Sequence, residues 1–263
     1  MAYQTLTFAI EGALARLTLN RPDRLNSFSD AMHVELRDVL AELETSATAR
    51  CLLVTGAGRA FCAGADLSQR QPTDDGARPD LGRSIEENYN PLIRRLRALA
   101  IPTIAAVNGP AAGAGMSLAL TCDIVIAARS AYFLQAFCNI GLIPDAGSTY
   151  FLPRLIGSAR AAGMAMLGEK LPAETAAAWG LIWKCVDDDR LMTEAETLAE
   201  WLAAGPTKTL ALIKDTLNRS ISNDLDAQLA AERDAQRQAG LSDDFAEGVR
   251  AFLEKRPARF SGR

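Results

Sequence analysis

A single carboxylate, Asp145, lies in the otherwise uncharged stretch NIGLIPDAGST, residues 139–149. An acid between a proline and a run of small residues has two ordinary roles. It can cap the following helix by accepting hydrogen bonds from backbone N–H groups. It can also act as a general base if apolar surroundings raise its pKa above the usual value of about 3.9. The apolar side chains near it in sequence are Phe137, Ile140, Leu142 and Ile143.

Two stretches rich in glycine and alanine follow apolar runs that predict buried strands: CLLVTGAGRAFCAGADL (51–67) and TIAAVNGPAAGAGMSLAL (103–120). Small residues at such places leave backbone N–H groups accessible to a ligand. The second stretch opens a predicted helix, where unpaired N–H groups and the helix dipole favour negative charge. The two stretches could therefore share one developing oxyanion, or their glycines could simply permit tight turns and close packing.

The sequence lacks the residues that several other kinds of catalytic or binding site require. The one histidine, His33, lies in the first predicted helix, and no G-x-S-x-G motif is present, which argues against a serine nucleophile with a histidine base. We find no cluster of His, Cys or carboxylates with metal-ligand spacing, so no metal site is predicted. The glycines complete neither G-x-G-x-x-G nor G-K-S/T. Lys and Arg are scattered and the net charge is -4, so no nucleic-acid partner is expected.

Composition indicates a soluble protein of ordinary type. The 263 residues suffice for one large domain or for a core with an appendage, and 49% are hydrophobic and 23% charged. The five cysteines show no C-x-x-C spacing and predict free thiols, which are typical of a reducing compartment. The N-terminus lacks the pattern of a secretion signal, and no apolar run reaches ~18 residues. We therefore expect a cytoplasmic location and no membrane association.

The periodicity of apolar residues predicts an α/β core. Strands at 6–10 and 13–19 form a hairpin, a helix begins at Ser29, and a buried strand follows at 51–56. Strand, helix and buried strand in this order imply a parallel crossover. The remaining predicted elements are a polar loop at 69–84, a helix at about 85–100, a strand at 103–107, a helix at 109–121, a strand at 123–128, helices at about 158–168 and 172–180, and a strand within LIWKCV (181–186).

Strand signals stop near residue 190. The rest of the chain is predicted to be helical, with breaks near AGPT, SISND and AGLSDD. We therefore divide the chain into an α/β core with the site, residues 1–190, and a helical C-terminal region, residues 191–263. The amphipathic stretch LAAERDAQRQAG predicts a helix that packs on the same subunit or on a neighbour.

Four segments in this order resemble the crotonase family, also called the enoyl-CoA hydratase/isomerase family. They are RPDRLNSFSDAM, TGAGRAFCAGADL, AAVNGPAAGAGMSLALTCDIVIAARSAYF and GLIPDAGSTYFLPRLIG, and the likeness extends from about residue 6 to the C-terminus. The resemblance implies a spiral of β-β-α units and a helical C-terminal region that forms a homotrimer or a dimer of trimers. It also implies an acyl-coenzyme A thioester as substrate, with no other cofactor.

The resemblance assigns roles to individual residues. Ala65 and Ala114 match the backbone N–H donors of the family's oxyanion hole, and Asp145 matches the acid of its isomerase branch. Hydratases of the family carry glutamates at the positions of Ser117 and Phe137, so hydration is not expected here. The residues expected to contact coenzyme A or the acyl group are Ala63, Gly64, Asp66, Leu67, Gly113, Phe137 and Tyr89.

The phenylacetate-degradation branch of the family shares further segments with this chain, among them DIVIAARSA, GLIWKCVDDD and EGVRAFLEKRPARFSGR. This likeness implies conversion of 2-(1,2-epoxy-1,2-dihydrophenyl)acetyl-CoA to oxepin-CoA, together with Δ3,Δ2-enoyl-CoA isomerisation. Three alternatives stay open: a straight-chain Δ3,Δ2-enoyl-CoA isomerase of β-oxidation, an enoyl-CoA hydratase, and a non-catalytic binding or scaffold protein.

Overall fold

The computed structural model describes residues 3–69 and 78–263. It opens with the predicted hairpin, in which β1 (Leu6–Glu11) and β2 (Leu14–Leu19) pair antiparallel with Leu6 opposite Leu19. The strands that follow are β3 (Cys51–Gly56), β4 (Thr103–Val107), β5 (Ala111–Ala112), β6 (Ile124–Ala128), β7 (Tyr132–Leu134), β8 (Lys170–Pro172) and β9 (Lys184–Val186).

The helices surround these strands. They are α1 (Asp30–Thr45), α2 (Leu81–Ser84), α3 (Asn90–Ala98), α4 (Ala114–Thr121), α5 (Ser148–Leu167), α6 (Ala173–Ala178), α7 (Leu191–Ala204), α8 (Thr207–Ser220), α9 (Leu225–Gly240) and α10 (Asp243–Leu253). A π-helical turn, Ile85–Tyr89, joins α2 to α3.

The larger sheet has the strand order β1-β2-β3-β4-β6-β9, and every pair from β2 onward is parallel. The crossover predicted between β2 and β3 is therefore confirmed. A smaller sheet, β5-β7-β8, stands beside it. Because β3 and β4 are parallel neighbours, the chain leaves both at the same edge of the sheet, and this places the two Gly/Ala stretches next to each other.

Helix α1 follows its sequence signals. Ser29 is the N-cap, and its side chain accepts a hydrogen bond from Met32 N at 3.2 Å. The buried face repeats at helical spacing and consists of Met32, His33, Leu36, Val39, Leu40 and Leu43.

Three predicted boundaries are wrong. The helix predicted at 109–121 begins only at Ala114, because Ala111 and Ala112 pair with β7 as strand β5. The loop predicted at 69–84 includes residues 70–77, which lie outside the described residues, but α2 already begins at Leu81. The helix predicted at 158–168 is only the second half of α5, since Gly157, with φ 78°, interrupts a helix that starts at Ser148.

The C-terminal helices break where predicted, and α7 packs against β3 and β4 with Ala195 and Ala199 fully buried in the common core. Helix α8 is tied to the core by Lys214, whose Nζ lies 2.9 Å from Asp123 Oδ2. The domain division at residue 190 stays a prediction. No helix in the described part of the chain is long and apolar enough to cross a membrane.

Candidate active site

The two Gly/Ala stretches run side by side at the edge of the larger sheet. Cys62 and Ala111 form a parallel bridge, and Ala112 N donates to Cys62 O at 2.9 Å. The first turn of α4 lies directly against this strand, because a Cβ built on Gly115 would stand 2.2 Å from Cys62 O. Only glycine permits this approach.

Each stretch presents one backbone N–H group to the same space. Phe28 N donates to Gly64 O and Asp66 N donates to Phe28 O, so the intervening N–H of Ala65 points away from Phe28. Ala114 is the first residue of α4, where an N–H has no acceptor within the helix. Gly64 adjoins both donors, since it precedes Ala65 in the chain and a Cβ on it would lie 3.5 Å from Ala114 N. Its φ of 93° is a backbone conformation that favours glycine.

A cavity of about 290 Å³ contains both donors. Its walls are mostly apolar, and Asp145 is the one titratable side chain among the described residues that line it. The lining residues are Ala63, Gly64, Ala65, Leu67, Leu81, Ile85, Gly113, Ala114, Ala136, Phe137, Ile140, Leu142, Ile143 and Asp145.

The smaller sheet brings Asp145 to this cavity. Pairing of β5 with β7, extended by the hydrogen bond from Gly113 N to Leu134 O at 2.8 Å, directs the chain after β7 back to the start of α4. The N-cap position of α5 is Gly147, and the backbone carbonyl of Asp145 accepts a hydrogen bond from Ser148 N at 3.0 Å. Its Oδ1 atom is shielded from solvent. The carboxylate thus belongs to the cavity that holds the two N–H donors.

A family model described as enoyl-CoA hydratase/isomerase matches residues 9–263. The chain belongs to the enoyl-CoA hydratase/isomerase family. It is 56% identical over 254 residues to the 1,2-epoxyphenylacetyl-CoA isomerase of Escherichia coli K12, with 97% of each chain covered. It is 47% identical over 265 residues to a Rhodobacter capsulatus protein named "Probable enoyl-CoA hydratase", with 100% of both covered.

Solved structures of this family have the same fold. The crystal structure of an enoyl-CoA hydratase from Bacillus anthracis superposes with a TM-score of 0.93 at 34% identity, over 99% of this chain and 100% of that one. The α/β fold predicted as a crotonase-like spiral, with a helical C-terminal region, is therefore confirmed.

The two positions that the family resemblance assigns to the glutamates of a hydratase are held by Phe137 and Ser117. Phe137 lines the cavity and packs against Gly113, since a Cβ on that glycine would lie 3.5 Å from the Phe137 ring. Ser117 lies one turn into α4, fully buried, with its Oγ 2.6 Å from Ser148 Oγ. Neither position supplies a carboxylate, so Asp145 has no acidic counterpart at either of them.

Two residues predicted to bind substrate lie apart from the cavity lining. Asp66 forms an ion pair with Arg21 at 3.0 Å, and the hydrogen bond from Ser68, followed by that from Arg21, holds the pKa of Asp66 below its usual value. Tyr89 is buried, with its ring packed edge-on against Phe28 and His33. Substrate contacts by Asp66 and Tyr89 stay predictions.

Two supporting residues were missed in the sequence. Asn26 is fully buried in the left-handed region, φ 57°, and its side chain bonds to Arg21 N, Ala57 O and Ala60 O, which fixes the loop that carries Ala65. Asparagine tolerates this backbone conformation, so its place in RPDRLNS was the available signal. Leu81 lines the cavity one turn before Ile85, and this i, i+4 spacing could have extended the helix into the predicted loop.

Cys62 adjoins the cavity but is a poor nucleophile. Burial raises the pKa of its thiol to about 12, so it stays protonated near neutral pH. Among the described residues no group of three or more His, Cys, Asp or Glu side chains could hold a metal ion.

A larger cleft, about 1010 Å³, lies between α3, α5 and α8. It contains none of Ala65, Ala114 and Asp145, which all line the smaller cavity.

Proposed function

We propose that this chain is an acyl-CoA isomerase that converts 2-(1,2-epoxy-1,2-dihydrophenyl)acetyl-CoA to oxepin-CoA and also catalyses Δ3,Δ2-enoyl-CoA isomerisation. One observation carries the proposal: the cavity that holds both backbone donors is apolar, and Asp145 is the one carboxylate among its described lining residues. A single acid suits a proton transfer between two carbons of one substrate. Addition of water by a pair of acids requires a second one.

The chemistry begins at the thioester carbonyl. Its oxygen would accept hydrogen bonds from the N–H groups of Ala65 and Ala114, at the positive end of the α4 dipole. These donors stabilise the enolate that forms when a proton leaves the α-carbon, and each typically contributes about 2.7–4 kcal/mol to the transition state. Asp145 removes that proton and returns it to the γ-carbon, which moves the double bond from the β,γ to the α,β position.

The ring substrate can use the same proton shift. An arene epoxide opens to an oxepin when the carbon–carbon bond shared by its two rings breaks and the ring π electrons rearrange, with no gain or loss of atoms. The oxepin then has a β,γ double bond relative to the thioester. Transfer of one proton from the α-carbon to the γ-carbon completes the reaction. No electrons are exchanged with a partner, so we expect no cofactor beyond the coenzyme A of the substrate itself.

The relatives support this substrate over the alternatives. The E. coli relative, named 1,2-epoxyphenylacetyl-CoA isomerase, shares 56% of its residues with this chain. Ser117 and Phe137 at the two glutamate positions disfavour a hydratase. A straight-chain isomerase would use the same donors and the same acid, so the two isomerase readings differ only in the acyl group. Retention of Asp145 in the cavity disfavours a non-catalytic scaffold.

The test is an activity panel with wild-type protein and Asp145→Asn. We expect the wild type to convert 3-hexenoyl-CoA and the ring epoxide, and to leave crotonyl-CoA unhydrated. Asp145→Asn should lower kcat by about 100- to 10,000-fold, since it removes the proton carrier. Calorimetric titration with a non-isomerisable saturated acyl-CoA should show that this variant still binds. Full turnover by Asp145→Asn, or efficient hydration of crotonyl-CoA by the wild type, would refute the assignment.

We further propose a homotrimer or a dimer of trimers, in the cytoplasm. Large apolar side chains on α10 are exposed in the single chain, among them Phe252 at 83% and Leu253 at 74%, and association would cover such surface. All five cysteines are free thiols, which suits a reducing compartment. Analytical ultracentrifugation of the wild type and of Phe252→Glu tests the assembly. A monomeric wild type would refute it.

A further inference from the structure

Three fully buried polar side chains form a connected group behind the cavity: Ser117 on α4, Gln135 just after β7, and Ser148 at the start of α5. Ser148 Oγ lies 2.6 Å from Ser117 Oγ and 3.0 Å from Gln135 Nε2. Buried polar groups are costly unless they are bonded, so such a group holds its neighbours in one arrangement.

The hydrogen bonds connect the amide to the main chain through the two hydroxyls. Gln135 Nε2 donates to Ser148 Oγ, a hydrogen bond joins Ser148 Oγ to Ser117 Oγ, and Ser117 Oγ lies within donating distance of backbone carbonyls. Two carbonyls are in reach: Asp145 O at 3.2 Å and Gly113 O at 3.3 Å. The hydrogen bonds thus reach the backbone carbonyls of Asp145 and of Gly113, the residue before the Ala114 donor.

The two ends of the Gln135 amide differ in their contacts. Gln135 Oε1 is buried and accepts no hydrogen bond from the described residues, whereas Nε2 contacts Ser148 Oγ. Nε2 also lies 3.2 Å from Met116 Sδ, so the amide nitrogen contacts α4 as well as the start of α5.

The turn that carries Asp145 needs this support. Ala146, directly after the acid, has φ 48°, a left-handed conformation that residues with a side chain rarely adopt, and Gly147 follows with φ 86°. Such conformations persist where surrounding contacts determine them. The Asp145 carbonyl is held from two sides, by Ser117 Oγ and by Ser148 N at 3.0 Å.

We propose that Ser117, Ser148 and Gln135 are positioning residues, which hold the Asp145 carboxylate in register with the N–H donors of Ala65 and Ala114. The proposal rests on the isomerase function proposed above and deepens it. Ser117 occupies the position of a hydratase glutamate, and here its hydroxyl acts on the main chain and does not touch the substrate. A misplacement of about 1 Å at a reacting group can lower a rate 100-fold, so a small shift of this turn is enough to matter.

The experiment compares Ser117→Ala and Ser148→Ala with wild type on 3-hexenoyl-CoA. We expect kcat to fall by about 10- to 100-fold with little change in KM or in affinity for a saturated acyl-CoA, because the donors and the cavity walls stay in place. The matched control is Thr121→Val. Thr121 is equally buried one turn further along α4, and its hydroxyl bonds to Ser117 O at 2.7 Å, away from the Asp145 turn. It should leave kcat unchanged.

A second measurement separates positioning from a general loss of structure. In the Asp145→Asn background, Ser117→Ala should cause no further loss of the residual rate, since there is no proton carrier left to position. Ser117→Thr, which keeps the hydroxyl, should recover most of kcat. If Ser117→Ala folds poorly, as judged by its unfolding midpoint, Gln135→Met tests the same hydrogen bonds from their far end.

The outcomes are distinguishable. An active wild type with an unchanged kcat in Ser117→Ala and Ser148→Ala overturns the positioning role alone. An equal loss in the Asp145→Asn background also overturns it. Absence of isomerisation by the wild type on both thioesters overturns the proposed function and this inference together.

Discussion

Gly64→Ala tests whether the backbone at Ala65 is a catalytic device. A Cβ at this position would lie 2.9 Å from Ala112 O, which belongs to strand β5 and cannot swing aside as a side chain would. Residue 64 must therefore move, and the N–H of Ala65 moves with it. Loss of one oxyanion donor corresponds to about 2.7–4 kcal/mol, so we expect kcat to fall by about 100- to 1,000-fold.

The substitution also strains the backbone, because φ 93° at Gly64 is unfavourable for alanine by about 1–2 kcal/mol. Gly12→Ala is the matched control. Gly12 has φ 63° in the β1–β2 turn, and nothing lies within 4 Å of the place that a Cβ would occupy there. It should lose about 1–2 kcal/mol of unfolding free energy from backbone strain alone and keep full activity. The assay is isomerisation of 3-hexenoyl-CoA, with urea unfolding of both variants. A kcat for Gly64→Ala equal to that of Gly12→Ala would refute the role of the Ala65 donor.

Two further predictions concern stability. Lys214→Met should lower the free energy of unfolding in urea by about 1–3 kcal/mol, because it removes the buried ammonium that lies 2.9 Å from Asp123 Oδ2 and donates to Leu96 O and Ile101 O. Adding Asp123→Asn should restore part of the loss, and additive losses would contradict the ion-pair explanation. The hydrogen bond from Arg256 lowers the pKa of Glu247 to about 2. The Glu247 carboxylate therefore stabilises the folded state fully above its unfolded pKa of about 4.3, and this stabilisation is lost as the pH falls toward 2. The thermal midpoint of wild type should exceed that of Glu247→Gln at pH 6 and match it near pH 2. A constant difference across that range would exclude the linkage.

The elements predicted well are those with strong local patterns. The strands β3 and β4 are continuous apolar runs, and α1 combines a cap at Ser29 with a regular buried face. The errors arise where tertiary contacts overrule local preference. Ala111 and Ala112 suit a helix by composition, yet β7 recruits them into a strand. Gly157 and the internal Pro153 have the pattern of a helix end, and the first half of α5 was missed for that reason.

The site was predictable only in part. Asp145 stood out because it is a charged side chain in an apolar stretch. The donors at Ala65 and Ala114 are backbone groups, which carry no side-chain signature, and their meeting depends on the parallel pairing of β3 with β4. The hydrogen bonds from Gln135 to Ser117 span three separate elements, so no local pattern marks them.

Backbone groups and a side chain have different roles in the mechanism proposed for this cavity, and this difference has an evolutionary consequence. The two donors are main-chain N–H groups, and almost any residue exchanged at position 65 or 114 would retain them. The acid is a side chain, and a single codon change at position 145, 117 or 137 can add, remove or relocate a proton carrier. In the mechanism proposed above, thioester activation is therefore hard to lose by point mutation at the donors themselves, while the reaction that follows is easy to change. In the proposed mechanism, such a fold can change its reaction through the acid side chains while the backbone donors stay in place.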